Sequence, residues 1–257
     1  MIEKWNITIP ELTGEEPRAA YIYVPDIIEE DPELRFPVLY MFDGHNVFFD
    51  EDATYGKSWG MAEFAEGVQL PIIIAAVECN HGPNNDRLRE YAPFSFKDRH
   101  FGYIPGDGPK TMEWFVNAFK PFIDETYPTL PEREYTFISG SSMGGLMSLY
   151  AVTAYNHVFS RAAALSPSVW FANDKLDRLL CSAHIDPNTV VYMDYGENEM
   201  PNHKGMKRQF TRVVTRLLER GVKLDCRIVP NGDHSEASWE RQIPFFMSTL
   251  LYGLDIE

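Results

Sequence analysis

Short, continuously apolar runs recur along this chain, separated by segments with helical spacing, and they limit its fold more than any other feature. "VLYMF" (38–42), "IIIAAV" (72–77) and "VVYMDY" (190–195) show almost no polar alternation. A strand solvated on one face alternates apolar with polar residues; a strand covered on both faces by helices does not. Strand-like runs fall at 5–10, 20–24, 37–42, 71–78, 135–139, 161–165, 189–195 and 224–229. Between them, Met112, Phe115, Phe119, Phe122 and Ile123 form a helical stripe that Pro121 should kink. Further helices are expected at 144–155, 204–220 and 238–251. The alternation predicts an α/β fold: a mostly parallel eight-stranded sheet with an antiparallel start and helices on both faces.

No repeat, low-complexity tract or linker divides the 257 residues, so 1–257 reads as one domain. The longest irregular stretch, 79–110, is rich in Gly, Pro, Asn and aromatics. It is either a surface excursion or part of a substrate pocket.

One junction between strand and helix is unusual. The run ending at Ser139 is followed by Gly140-Ser141-Ser142-Met143-Gly144, which fits G-x-S-x-G. In that pattern the serine sits on a sharp, strained turn that lifts its hydroxyl above the sheet edge. Small residues two before and two after let strand and helix approach without Cβ clashes. The Met143 N–H, at a helix N-terminus, can then donate to a developing oxyanion. The plain alternative is a glycine-rich turn capped by serines. Position favours the nucleophile elbow: an apolar strand precedes it, a helix follows, and about five strands come first. Ser141 could act only if the register slipped by one, which would break the glycine spacing. Ser142 is therefore the candidate nucleophile.

A serine hydroxyl needs a base, and in this arrangement the chain order is serine, acid, histidine. Of the seven histidines, His45, His81 and His100 precede the serine. His157 and His184 come before the last strands, and His203 directly after the acid candidates reads as a helix-start residue. His234, in "VPNGDHSEASW", follows the last strand and precedes the final helix, the place of the base. The acid belongs in "VVYMDYGENEMPNHKG", which offers Asp194, Glu197 and Glu199. Asp194 is assigned to the strand, which leaves the two glutamates. The second oxyanion donor is expected after the third strand, where the sequence reads Asp43-Gly44-His45; the candidate is the His45 backbone N–H, not its ring.

These segments together resemble the putative-esterase (esterase-D-like) branch of the α/β-hydrolases. The resemblance is carried by "PVLYMFDGHNVFFD", "RLREYAPF", "KPFIDETYPTLPEREYTFISGSSMGGLMSLYA" and "FSRAAALSPSVWF", and it covers most of residues 35–240. It implies Ser142 as nucleophile, His234 as base, and the Met143 and His45 amides as oxyanion hole. It also implies that Trp170 and the loop holding Arg87 and Tyr91 lie near the pocket, although Trp170 reads equally well as core packing. Counting three residues from the strand-ending Gly196 gives Glu199 as the acid, and the branch points the same way; Glu197 is its alternative.

The expected activity is that of a serine carboxylic-ester hydrolase with no cofactor and no metal. Acyl transfer by the same residues and a catalytically silent binding module are the rival readings. Charge narrows the partners. A formal net charge of −15 argues against nucleic acid or an anionic membrane surface. It also favours neutral acylated sugars (acetyl or feruloyl esters) over anionic siderophore esters as the small-molecule substrate. Cys79, Cys181 and Cys226 form no CxxC pair and read as ordinary apolar positions in a reducing compartment, not as a disulfide framework or zinc site. With no signal peptide visible at the N-terminus, a cytoplasmic location is expected.

Overall fold

The apolar runs become strands of a single sheet. The computed structural model describes residues 1–29, 31, 33–202 and 205–254. In chain order its strands are β1 (Ile2–Thr8), β2 (Pro17–Tyr23), β3 (Val38–Phe42), β4 (Ile73–Val77), β5 (Phe96–Asp98), β6 (Gly102–Ile104), β7 (Thr136–Ser141), β8 (Arg161–Leu165), β9 (Val190–Gly196) and β10 (Lys223–Val229). Its helices are α1 (Pro10–Thr13), α2 (Met61–Gly67), α3 (Asp86–Glu90), α4 (Gly108–Trp114), α5 (Lys120–Thr126), α6 (Met143–Ala154), α7 (Asn173–Ser182), α8 (Met206–Glu219), α9 (Glu236–Glu240) and α10 (Ile243–Leu251).

Among the described residues, eight strands share one sheet in the order β1-β2-β4-β3-β7-β8-β9-β10, and β5 and β6 pair separately as a hairpin. β2 is antiparallel to both β1 and β4, and every later pairing in the large sheet is parallel. This is the mostly parallel, helix-covered α/β-hydrolase arrangement with an antiparallel start. Strand alternation divides the core in two. Val38, Tyr40 and Phe42 enter one cluster with α4–α8, while Leu39 and Met41 enter the other with α2, α9 and α10. Each strand residue thus faces a helix on its own side, which is why β3 needs no polar position.

Several boundaries differ from expectation for identifiable reasons. β1 begins at Ile2, not at residue 5; it is an edge strand with both faces largely open, so it carries little apolar signal. β2 begins at Pro17 because Arg18, a residue that reads as solvated, is buried against Glu90. The stripe around Pro121 is helical, but α4 and α5 are joined by a π-helical turn, Phe115–Phe119. Pro121 has no N–H to offer the carbonyl of residue 117, so the ladder is disturbed on its N-terminal side. The helix expected at 238–251 is two, α9 and α10, broken just before Pro244 for the same reason. α8 is described from Met206; Lys204 and His203 lie outside the described residues. The excursion at 79–110 is not structureless, since it contains α3 and the β5–β6 hairpin.

Candidate active site

Parallel strands point their C-terminal ends the same way, so the loops after β3, β7, β8, β9 and β10 gather at one edge. The loop after β7 is the elbow. Ser142 adopts φ 56°, ψ −118°, and α6 begins at the next residue. A conformation this costly for a side-chain-bearing residue persists only when its surroundings enforce it. Here the Ser142 N–H donates to Leu165 O at 2.9 Å, and its carbonyl accepts from the Ser168 N–H at 2.9 Å. Both partners come from β8 and the loop after it. The glycine spacing has its expected basis: a Cβ on Gly140 would stand 2.8 Å from the Gly144 carbonyl carbon.

Glu199 and His234 come from different loops and meet. His234 Nδ1 lies 2.7 Å from Glu199 Oε2. The second carboxylate oxygen, Oε1, accepts from the Ser166 hydroxyl at 2.6 Å and the Gly196 N–H at 2.8 Å. Burial opposes the charge on Glu199, but the hydrogen bonds from His234 and Ser166 outweigh it and hold the carboxyl below its ordinary range. Glu197 is exposed and accepts instead from the Asn231 backbone N–H at 3.1 Å. Asp194 stays within β9, 1% exposed, and accepts from the Ser166 N–H and the Tyr192 hydroxyl. Of the three acid candidates, only Glu199 reaches the histidine.

The Met143 and His45 backbone N–H groups donate to no acceptor among the described residues. Ser142 Oγ lies 3.4 Å from Ser168 Oγ, and no hydrogen bond joins it to His234 among the described residues. With Nδ1 engaged by Glu199, Nε2 is the ring nitrogen left for other work.

Residues 13–246 match the family described as putative esterase. The chain belongs to that family. Its class is therefore ester hydrolase. A relative in Bacillus subtilis (strain 168), the uncharacterized protein YbbA, is 26% identical over 221 residues, covering 82% of this chain and 83% of the relative. Among solved structures, the enterobactin and salmochelin hydrolase IroE superposes with TM-score 0.67 at 20% identity, covering 97% of this chain and 93% of that one. A ferulic acid esterase superposes with TM-score 0.64 at 16% identity, covering 98% and 97%. At these identities the two structures speak for the shared fold.

Around the centre of this esterase, the remaining predicted residues divide. Arg87 lies partly exposed beside the loop after β3 and grips Asp43 with two contacts, Nε to Oδ1 at 2.7 Å and Nη2 to Oδ2 at 2.6 Å. Burial disfavours the charged Asp43, yet the guanidinium still holds its carboxyl below the ordinary range. Tyr91 is 2% exposed and accepts the Asp43 N–H through its hydroxyl at 3.2 Å. It therefore supports the loop from behind and does not line an open wall. Trp170 is half-buried, packed on the core with its ring 5.6 Å from Phe171.

Three contributors escaped sequence reasoning. Ser166, at φ 43°, bridges Glu199 and the Trp239 indole N–H, which donates to its hydroxyl at 3.1 Å. Trp239 also sets its ring edge-on to His234, centroids 5.1 Å apart. Glu236, two residues beyond His234, is 7% exposed, and burial raises its pKa. The only signal for the first two was their presence in "LSPSVW" and "DHSEASW", which carries no contact information.

Proposed function

We propose that this chain is a serine carboxylic-ester hydrolase that works through an acyl-enzyme, with Ser142, His234 and Glu199 as its triad. The observation that carries the reading is the 2.7 Å contact between Glu199 and His234 at the sheet edge where Ser142 stands on its elbow. Rotation of the Ser142 side chain from Ser168 toward His234 brings the nucleophile to its base; such contacts tighten when substrate binds. His234 Nε2 takes the hydroxyl proton as Oγ attacks the ester carbonyl, and the Met143 and His45 N–H groups hold the oxyanion. The imidazolium returns the proton to the leaving alkoxide. Water repeats the sequence on the acyl-enzyme and frees Ser142. No metal or cofactor enters these steps.

Neutral acylated carbohydrates, acetyl or feruloyl esters, are the substrate class this reading favours. Close to the nucleophile the Arg87 charge is already matched by Asp43, and Glu236 adds a carboxyl two residues from the base. A basic hollow of about 480 Å³ on α8 includes Arg212 and Arg216. Those two arginines are paired with Asp177, while Lys207 and Arg208 line the same hollow. The specific support for a siderophore-type substrate is the activity for which several structural neighbours are named, IroE and the enterobactin esterase FES among them. Acyl transfer by the same triad is the other alternative. Among the described residues no helix is long and apolar enough to cross a membrane. The three cysteines are free, and a cytoplasmic single-domain enzyme is part of this reading. Ser142→Ala should abolish p-nitrophenyl acetate turnover with the circular dichroism unchanged; retained turnover would refute the nucleophile. On natural-type esters, kcat/KM should rank acetylated or feruloylated xylo-oligosaccharides above a triscatecholate siderophore. An added alcohol acceptor should leave hydrolysis as the main outcome.

A further inference from the structure

His45, Cys79 and His81 come together behind the loop after β3, each offering one ligand atom, with these atoms all within 4.8 Å of one another. Two adjacent parallel strands make this possible: His45 follows β3, and Cys79 and His81 follow β4. The sequence hides the grouping, since a C-x-H pair and a histidine some thirty residues earlier match no metal-ligand spacing.

The details are those of a ligand set. His45 is 4% exposed, and its Nδ1 is buried with no hydrogen-bond partner. Leaving a buried imidazole nitrogen unmatched costs about 1–3 kcal/mol, so such an atom calls for an explanation. Its Nε2 is 3.1 Å from Thr54 Oγ1. In the tautomer where Nε2–H donates to Thr54, Nδ1 presents a bare lone pair. His81 Nε2 lies 2.9 Å from Glu78 Oε1, which likewise leaves its Nδ1 free. A histidine whose second nitrogen is oriented by a hydroxyl or carboxylate is the usual form of a metal ligand. The two rings are 4.7 Å apart and nearly perpendicular. Cys79 is buried, and burial pushes its thiol up, so the positive charge of an ion is what would make it a thiolate.

We propose that His45, Cys79 and His81 form a binding site for a borderline divalent metal ion of the zinc class. One thiolate and two imidazoles are the donors such an ion prefers, with a water completing a tetrahedron. Zinc-ligand lengths of about 2.0 and 2.3 Å place donor atoms about 3.6 Å apart, so no pair need draw in by more than about 1 Å. His81, whose side chain is 54% exposed, has the freedom to supply that movement. On binding, the Cys79 thiol releases its proton to solvent as the metal–sulfur bond forms. The ion then ties the loop after β3, and with it the His45 N–H, to the end of β4. None of the three ligand atoms belongs to the triad; the site meets the proposed oxyanion hole only at His45, whose ring would bind the ion while its backbone N–H faces the substrate.

The test is a cobalt(II) titration of the chelator-treated full chain. One equivalent should produce a thiolate-to-cobalt charge-transfer band that zinc then abolishes, and zinc should raise the Tm. Cys79→Ser should lose the band. His81→Ala, at an exposed position, should keep its fold and its metal-free ester turnover while binding cobalt at least about 10-fold more weakly. Ser142→Ala should bind like wild type, which separates this result from that for the nucleophile. Absence of any band, a band that survives in Cys79→Ser, or wild-type affinity in His81→Ala would each overturn the proposal.

Discussion

Glu197 and Glu199 have the same chemistry and lie two residues apart, yet they face different partners. Glu199 is buried among three donors, from His234, Ser166 and Gly196, whereas Glu197 accepts from the Asn231 backbone N–H at the surface. A carboxylate that fixes the imidazole tautomer and stabilises the imidazolium is worth up to about 10⁴ in kcat. Glu199→Gln should therefore lower kcat at least about 100-fold on an unactivated ester, with Glu197→Gln within severalfold of wild type. Exchange of those two results would move the acid to Glu197; no loss in either would mean a Ser–His dyad. Asp194, beneath them, makes a different prediction. Burial raises its pKa from an ordinary 3.8 to about 7. Between those values the folded chain holds a proton that the unfolded chain has released. Its contribution to stability is therefore lost as pH rises from about 4 toward about 7, by up to a few kcal/mol. Asp194→Asn removes that dependence. Urea midpoints at pH 5 and pH 8 should fall more for wild type than for the variant; equal falls would show that Asp194 does not titrate in this window.

Between elements, the site depends on loops held at fixed separation. Gly196 ends β9, and a Cβ there would sit 2.4 Å from Gly232 O, in the loop that carries His234. The same two loops are joined by the Asn198 N–H donating to Gly232 O at 2.9 Å. Gly196→Ala should push them apart, costing about 1–3 kcal/mol in stability. A shift of an ångström between acid and base should also lower kcat by about 10- to 100-fold. Kinetics on the folded variant check this; wild-type kcat would mean the loops absorb the methyl elsewhere. α3 is fastened differently. Glu90 lies 2.6 Å from Arg18 of β2, with side-chain exposures of 3% and 4%, so this ion pair anchors the 79–110 excursion to the sheet. Glu90→Leu leaves the Arg18 charge buried alone and should cost about 3–5 kcal/mol, most of it recovered when Arg18→Met is added. Chemical denaturation of the single and double variants measures both. A double variant as unstable as the single one would show that the cost comes from packing and not from charge.

For the whole molecule the governing quantity is the charge of −15. A field of that sign slows the approach of anions, and salt relieves it within a Debye length of about 10 Å at 0.1 M. kcat/KM on a neutral acetylated xylo-oligosaccharide should stay within about 2-fold between low and moderate salt. On a triscatecholate ester it should rise over the same range. A fall with salt on the catecholate would reveal a local cationic pocket and favour the siderophore-type substrate.

Much of this was legible in one dimension. Continuous apolar runs disclosed the parallel strands, because a strand buried on both faces leaves that mark wherever it lies. Gly140, Ser142 and Gly144 disclosed the elbow, because its backbone geometry and close packing are imposed by neighbours in sequence. Chain order singled out His234, since order follows from topology. What remained hidden were meetings between loops distant in sequence. Arg18 against Glu90 concealed the start of β2, and Ser166 and Trp239 behind Glu199 and His234 belong to three separate loops. A count of residues pointed to Glu199, but its contact with His234 was not legible, because it depends on the loops after β9 and β10 packing glycine to glycine. The grouping of His45, Cys79 and His81 exists only because β3 and β4 are neighbours in the sheet. Periodicity records which face of an element is buried, and only the packed sheet determines which distant side chains occupy the same few ångströms.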